Sequence, residues 1–119
     1  MPTIEQVILE AIEANDTFWF VRSWIIAERT ERTVTIHLHI NNDLLIQMFF
    51  SLRSNRLSLA LVSAAAGRLY GCDYERRTWH YHPFGQTEIH APLPQGMSPR
   101  PLIQFVAEVE ELLLANDLL

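Results

Sequence analysis

Between Thr33 and Ile40 the chain alternates without a break. Val34, Ile36, Leu38 and Ile40 fall on one side of an extended chain, and Thr35, His37 and His39 on the other. That period of two predicts a strand with one buried face. Upstream the period lengthens: Ile4, Val7, Ile8 and Ile12, with Leu9 and Ala11 alongside, recur at three- and four-residue spacing. This predicts a helix over 3–15, capped by Thr3 and stopped at Asn15-Asp16. Phe18 to Glu28 is aromatic and β-branched, with apolar residues on both faces, which predicts a central strand covered on both sides.

Turn chemistry divides the middle of the chain. Asn41-Asn42-Asp43 predicts a hairpin turn leading into a partner strand over 44–52, and Ser54-Asn55 a second turn before a strand over 57–63. Ala64 to Gly67 fits a turn or a short helical excursion. Arg68 to Tyr74 and Arg76 to His82 read as two more strands with a tight bend at Glu75. Prolines and glycines from Pro83 to Pro99 predict a loop. Ser98 then fits an N-cap and Pro99 the first helical position. Leu102, Phe105, Val106, Val109, Leu112 and Leu113 predict a second helix running to Asn116, with Glu108, Glu110 and Glu111 outward. Short turns make antiparallel neighbours, so the expected architecture is α+β: a meander of five or six strands with N- and C-terminal helices packed on the sheet, as one domain over 1–119.

Composition narrows the classes. Of 119 residues 49% are hydrophobic and 19% charged, which suits a folded chain. No apolar run approaches the ~20 residues that cross a bilayer, so no transmembrane helix and no membrane partner are expected. The N-terminus lacks a basic start and an apolar core, and the lone cysteine cannot form an internal disulfide; both favour the cytoplasm. A net charge of −5 argues against a surface devoted to non-specific nucleic-acid binding. A local basic patch stays open, since the chain has nine arginines and no lysine.

The stretch Cys72 to Gly85, followed by Glu88, His90 and Pro92, is the densest in groups that move protons or bind ligands. On a strand over 76–82, Thr78, His80 and His82 share one face and Arg77, Trp79 and Tyr81 the other, with the two histidines about 7 Å apart. Three readings compete. The histidines could be solvent-facing strand residues, as could the His37/His39 pair. They could present nitrogen ligands to a metal, with further ligands from His90, Asp73, Glu88 or Cys72. Or they could perform acid-base chemistry, with Arg76 or Arg77 stabilising an anionic transition state, for which a phosphodiester is the best-fitting substrate. Cys72 fits a small buried hydrophobe, and no phosphate loop or nucleophile elbow is present.

The order of elements, with Trp79-His80-Tyr81-His82-Pro83-Phe84 and then His90-Ala91-Pro92, resembles the TumE-type toxins of prokaryotic toxin-antitoxin pairs over most of the chain. Members usually show an Arg-Trp-Asp run and a Pro-His-His-Pro run; this chain has Arg77-Thr78-Trp79-His80 and His82-Pro83, a partial match. The resemblance implies a toxin acting on RNA and neutralised by an antitoxin protein. The residue reading assigns His80 and His82 as an acid-base pair with Arg77 at the reacting phosphate. Arg76, Glu88 and His90 support the substrate, and no metal or cofactor is called for. The alternative is a non-enzymatic binding or regulatory module, possible as a homodimer, whose sheet face, helices or leucine-rich end at 112–119 meets a protein partner.

Overall fold

The computed structural model describes residues 2–97 and 99–119. Helix α1 (Ile4–Thr17) opens the chain and helix α2 (Pro101–Ala115) follows the last strand. Between them lie β1 (Ser23–Arg29), β2 (Thr33–His39), β3 (Leu44–Ser51), β4 (Arg56–Ser63), β5 (Gly67–Glu75), β6 (Thr78–His82) and β7 (Ala91–Pro92). They form one sheet in sequence order, each strand antiparallel to the next. The α+β meander is thus present, with seven strands rather than five or six. The additional strand is a two-residue piece inside the proline-rich loop, too short to show a period.

The alternation of β2 does what it implies: Val34, Ile36 and Leu38 are buried while His37 and His39 are only half-buried. Register carries the apolar face across the sheet, with Ile36 opposite Met48, Met48 opposite Leu59 and Leu59 opposite Cys72. Both helices cover this face. Val7, Ala11 and Ala14 of α1 and Leu102, Phe105, Val106, Val109 and Leu113 of α2 join the same core. Thr3 caps α1 reciprocally with Gln6: the Thr3 hydroxyl accepts from the Gln6 N–H, and the Gln6 side chain accepts from the Thr3 N–H. Such a cap is worth about 1 kcal/mol.

Several expected boundaries need correction. Phe18 to Glu28 is not a central strand. The strand begins at Ser23, lies at the sheet edge beside β2 alone, and is exposed except at Trp24. The aromatic run belongs instead to the connection from α1, where Phe20 and Val21 are buried and Phe18 packs edge-on against Phe20. One apolar stretch therefore serves two elements. Arg76 and Arg77 are not strand residues but the two-residue turn between β5 and β6. Ala64 to Ala66 form a turn, held by the Asp43 carboxylate and the Ser63 hydroxyl accepting from nearby backbone N–H groups. Helix α2 starts at Pro101, with Arg100 at its N-cap and no side-chain cap, so Pro101 fills the role expected of Pro99. The expected cap at Ser98 lies outside the described residues.

Candidate functional site

The site grows out of the β5–β6 hairpin. Its turn puts both Arg76 and Arg77 in the left-handed region, at φ 52° and 66°. Two-residue hairpin loops demand this geometry, which matches the twist of the flanking strands. The turn fixes the register: Tyr74 opposite Trp79, Asp73 opposite His80, Gly71 opposite His82. His80 and His82 consequently share a face with Asp73, and Trp79 and Tyr81 face the helices with Tyr74. Opposite His82, Gly71 lets the β4 backbone approach closely, because a Cβ there would lie 3.1 Å from the Leu59 carbonyl oxygen.

His82 is only 3% exposed and is held at both nitrogens. Nδ1 lies 2.8 Å from the Thr87 carbonyl oxygen, and Nε2 lies 2.9 Å from Asp73 Oδ2. A carbonyl can only accept, so Nδ1 carries the hydrogen it donates to Thr87. Nε2 and the carboxylate then share the remaining proton. Asp73 Oδ1 is buried and has no hydrogen-bond partner among the described residues. The 83–90 loop that supplies Thr87 is tied back to the sheet by the Gly85 N–H, which donates to the Leu69 carbonyl at 3.1 Å.

The same loop delivers His90. Its ring centroid stands 4.3 Å from that of His82 and 6.2 Å from that of His80, so three imidazoles from two segments converge above Asp73. His90 is exposed and His80 half-buried, with Thr78 Oγ1 3.5 Å from His80 Nε2. Glu88 is exposed in the loop and forms no ion pair among the described residues. Arg76 and Arg77 stand exposed at the hairpin tip, three or four residues from His80 along the chain.

The remaining candidates sit elsewhere. His37 and His39 lie on the same sheet face, but β2 is four strands from β6, roughly 19 Å away at the usual strand spacing. The His37 ring donates to Gln47 Oε1 at 3.1 Å. Cys72 is fully buried on the helix face, and burial pushes its thiol up to about 12. Beside it the Tyr70 hydroxyl donates to Glu108 at 2.6 Å and its ring stacks on Phe105, with burial raising the phenol well above its ordinary range. Among the described residues, no group of three or more His, Cys, Asp or Glu side chains is placed to hold a metal ion. No helix there is long and apolar enough to cross a membrane. Compared with protein-family models, curated proteins and solved structures, the chain matches none.

Asp73 as the partner of His82 is the feature that residue spacing alone did not bring out. A turn placed at 76–77 would have revealed it, because that turn sets Asp73 opposite His80 on the histidine face.

Proposed function

We propose that the β6 edge is an acid-base site for cleaving RNA, in a cytoplasmic toxin that an antitoxin protein neutralises. The observation that carries this reading is the convergence of His80, His82 and His90 above a buried Asp73. His80 and His90 have rings that substrate can reach, and they form the proton-handling pair. One takes the proton from a ribose 2′-hydroxyl as that oxygen bonds to phosphorus; the other gives a proton to the departing 5′-oxygen as its bond breaks. The products are a 2′,3′-cyclic phosphate and a 5′-hydroxyl, and the atoms and charges balance with the two imidazoles alone. His82, occupied at both nitrogens, is a positioning residue: it pins the loop through Thr87 and sets where His90 stands. This moves the acid-base role expected of His82 to His90. Glu88 keeps its place as loop-borne support.

Arg76 and Arg77 supply the phosphate contact. Two non-glycine residues in the left-handed region cost on the order of 1–3 kcal/mol each, and an Asn-Gly pair would make the same turn with less strain. Two arginines at strained turn positions fit a use for their charge. The test is bacterial growth on induction of the native chain and of a His80→Ala/His90→Ala variant with native circular dichroism. Arrest by the native chain alone supports the proposal; arrest by both, or by neither, opposes it.

A second reading, a protein-binding module, rests on edge strand β1, whose seven residues leave one side unpaired and expose Ile25 and Ile26. Sedimentation of the purified chain at rising concentration checks its homodimer form, which requires a concentration-dependent increase in mass.

A further inference from the structure

We infer a second binding site, a nucleotide cleft on the helix-facing side of the β5–β6 hairpin, which takes a base of single-stranded RNA and leaves its phosphate on a ridge of arginines. The inference rests on the phosphodiester reading for its substrate class and extends it to a site that none of the histidines touches.

The ridge follows from the meander. In an antiparallel sheet of sequential strands, alternate turns gather at the same end. The β1–β2, β3–β4 and β5–β6 turns share one end, and the backbone joins two of them, with the Leu52 N–H donating to the Arg32 carbonyl at 2.8 Å. Arg29, Arg32, Arg53, Arg56, Arg76 and Arg77, six of the nine arginines, lie in or beside these turns. Arg29 is paired with Glu5 at 3.3 Å. The four arginines of the β3–β4 and β5–β6 turns have only Glu75 for acidic company within residues 52–56 and 75–78. A chain of net charge −5 thus concentrates positive charge on one rim.

Beside that rim opens a cleft of about 640 Å³, between α1, the start of α2 and the sheet. This is within the usual range for small-molecule sites. Phe50 and Leu57 form its apolar floor. Tyr74 and Trp79 form a wall, with ring centroids 5.3 Å apart and planes tilted by 54°. Gly96 packs closely on the indole, where an added Cβ would fall 2.7 Å from Trp79 Cδ1. An aromatic wall is a stacking platform for any base. Asn55 and Glu10 supply the polar edge. Asn55 lines the cleft, and its Oδ1 has no hydrogen-bond partner among the described residues. Glu10 accepts the Ile103 N–H at 3.0 Å through one carboxylate oxygen and keeps the other for a second donor. Acceptors against an aromatic wall favour a base with an exocyclic amine, such as adenine. The Glu10 charge repels phosphate, which directs the phosphate outward to the arginines. Tyr74–Trp79 and Asp73–His80 are adjacent register pairs on opposite faces. A strand passing over the hairpin tip would place a base in the cleft and a neighbouring phosphodiester at the histidines.

The experiment uses the full chain and a fluorescein-labelled 2′-O-methyl adenosine octamer, which lacks the 2′-hydroxyl that cleavage requires, with binding read by anisotropy. Binding is expected to weaken about tenfold or more in Trp79→Leu and in Arg76→Asn/Arg77→Gly, a variant that keeps the left-handed turn and so guards against misfolding. Asn55→Gly, also compatible with its φ of 53°, is expected to weaken it less. A log-log salt slope of about −2 is expected if three phosphates are neutralised. Absence of binding, or affinity indifferent to all three variants, overturns the cleft, as does displacement of the probe by polyglutamate as readily as by unlabelled octamer. Cleavage of the unmodified octamer is followed in parallel. Cleavage with KM unchanged in Trp79→Leu and Asn55→Gly rejects the cleft and leaves the histidine site standing; binding that is sensitive to these two variants, without cleavage by the native chain, does the reverse.

Discussion

Removing the His82 imidazole alone is expected to cost nearly as much stability as removing both members of its pair. His82 Nε2 makes the only hydrogen bond to the Asp73 carboxylate among the described residues, because Oδ1 has no partner. The pair is buried, with side-chain exposures of 3% and 10%. His82→Ala strands a carboxylate out of water, which costs about 3–5 kcal/mol. It also leaves the Thr87 carbonyl without its donor, a further loss of about 1 kcal/mol. Against a total stability of about 5–15 kcal/mol for a domain of this kind, that is a large fraction. Asp73→Ala strands the imidazole in the same way. The double variant leaves neither group unpaired, so the two single effects should exceed the double effect by about 2 kcal/mol or more. Urea unfolding followed by tryptophan fluorescence reads this directly. With a slope of about 1.5 kcal/mol per molar, the His82→Ala midpoint should fall by about 3–4 M. A coupling below about 0.5 kcal/mol would mean that the two groups do not share a buried proton, and the positioning role of His82 would fall with it.

Other perturbations probe neighbouring parts of the structure. Gly96→Ala puts a Cβ against Trp79 at a φ of +62°, and should destabilise by about 1–3 kcal/mol, read as a lowered Tm; an unchanged Tm would show that the indole is not packed closely there. Burial keeps the Cys72 thiol protonated in the folded chain up to about 12, against an ordinary value of 9.0, so the stability it contributes is complete below about pH 9 and lost as the pH rises towards 12. The slope should be at most about 1.4 kcal/mol per pH unit and should shrink in Cys72→Ala, as followed by denaturation at stepped alkaline pH. Arg76→Asn/Arg77→Gly should stabilise the fold by about 1 kcal/mol or more through a less strained turn, net of the chain entropy that glycine adds. A Tm below that of the native chain would contradict the left-handed geometry at this turn.

Legibility followed the strength of the local period. The β2 alternation and the stripes of both helices left one arrangement open, and those elements lie where their patterns put them. The alternation of Trp79, His80, Tyr81 and His82 likewise sorted their side chains to the two faces correctly. Phe18 to Glu28 misled because an apolar run does not say whether it covers a helix end or enters a sheet. Arg76-Arg77 escaped recognition as a turn because arginine carries no local signal for left-handed backbone. That error hid the register, and with it the Asp73–His82 pair. The approach of His90 depends on a loop path fixed by long-range hydrogen bonds to Leu69 and His82, which no window of sequence contains. The cleft joins α1, one turn, four strands and the start of α2, and was invisible for the same reason.

The central claim is that two reachable histidines beside a pinned third transfer protons at a phosphodiester. The most direct measurement is incubation of the purified chain with a defined single-stranded RNA in the presence of EDTA, with the product ends identified by mass. The expected products carry 2′,3′-cyclic phosphate and 5′-hydroxyl ends, with the rate falling about 10²–10⁴-fold in either His80→Ala or His90→Ala while their unfolding midpoints stay close to native. Intact RNA with the native chain, or cleavage that survives loss of both histidines, would contradict it.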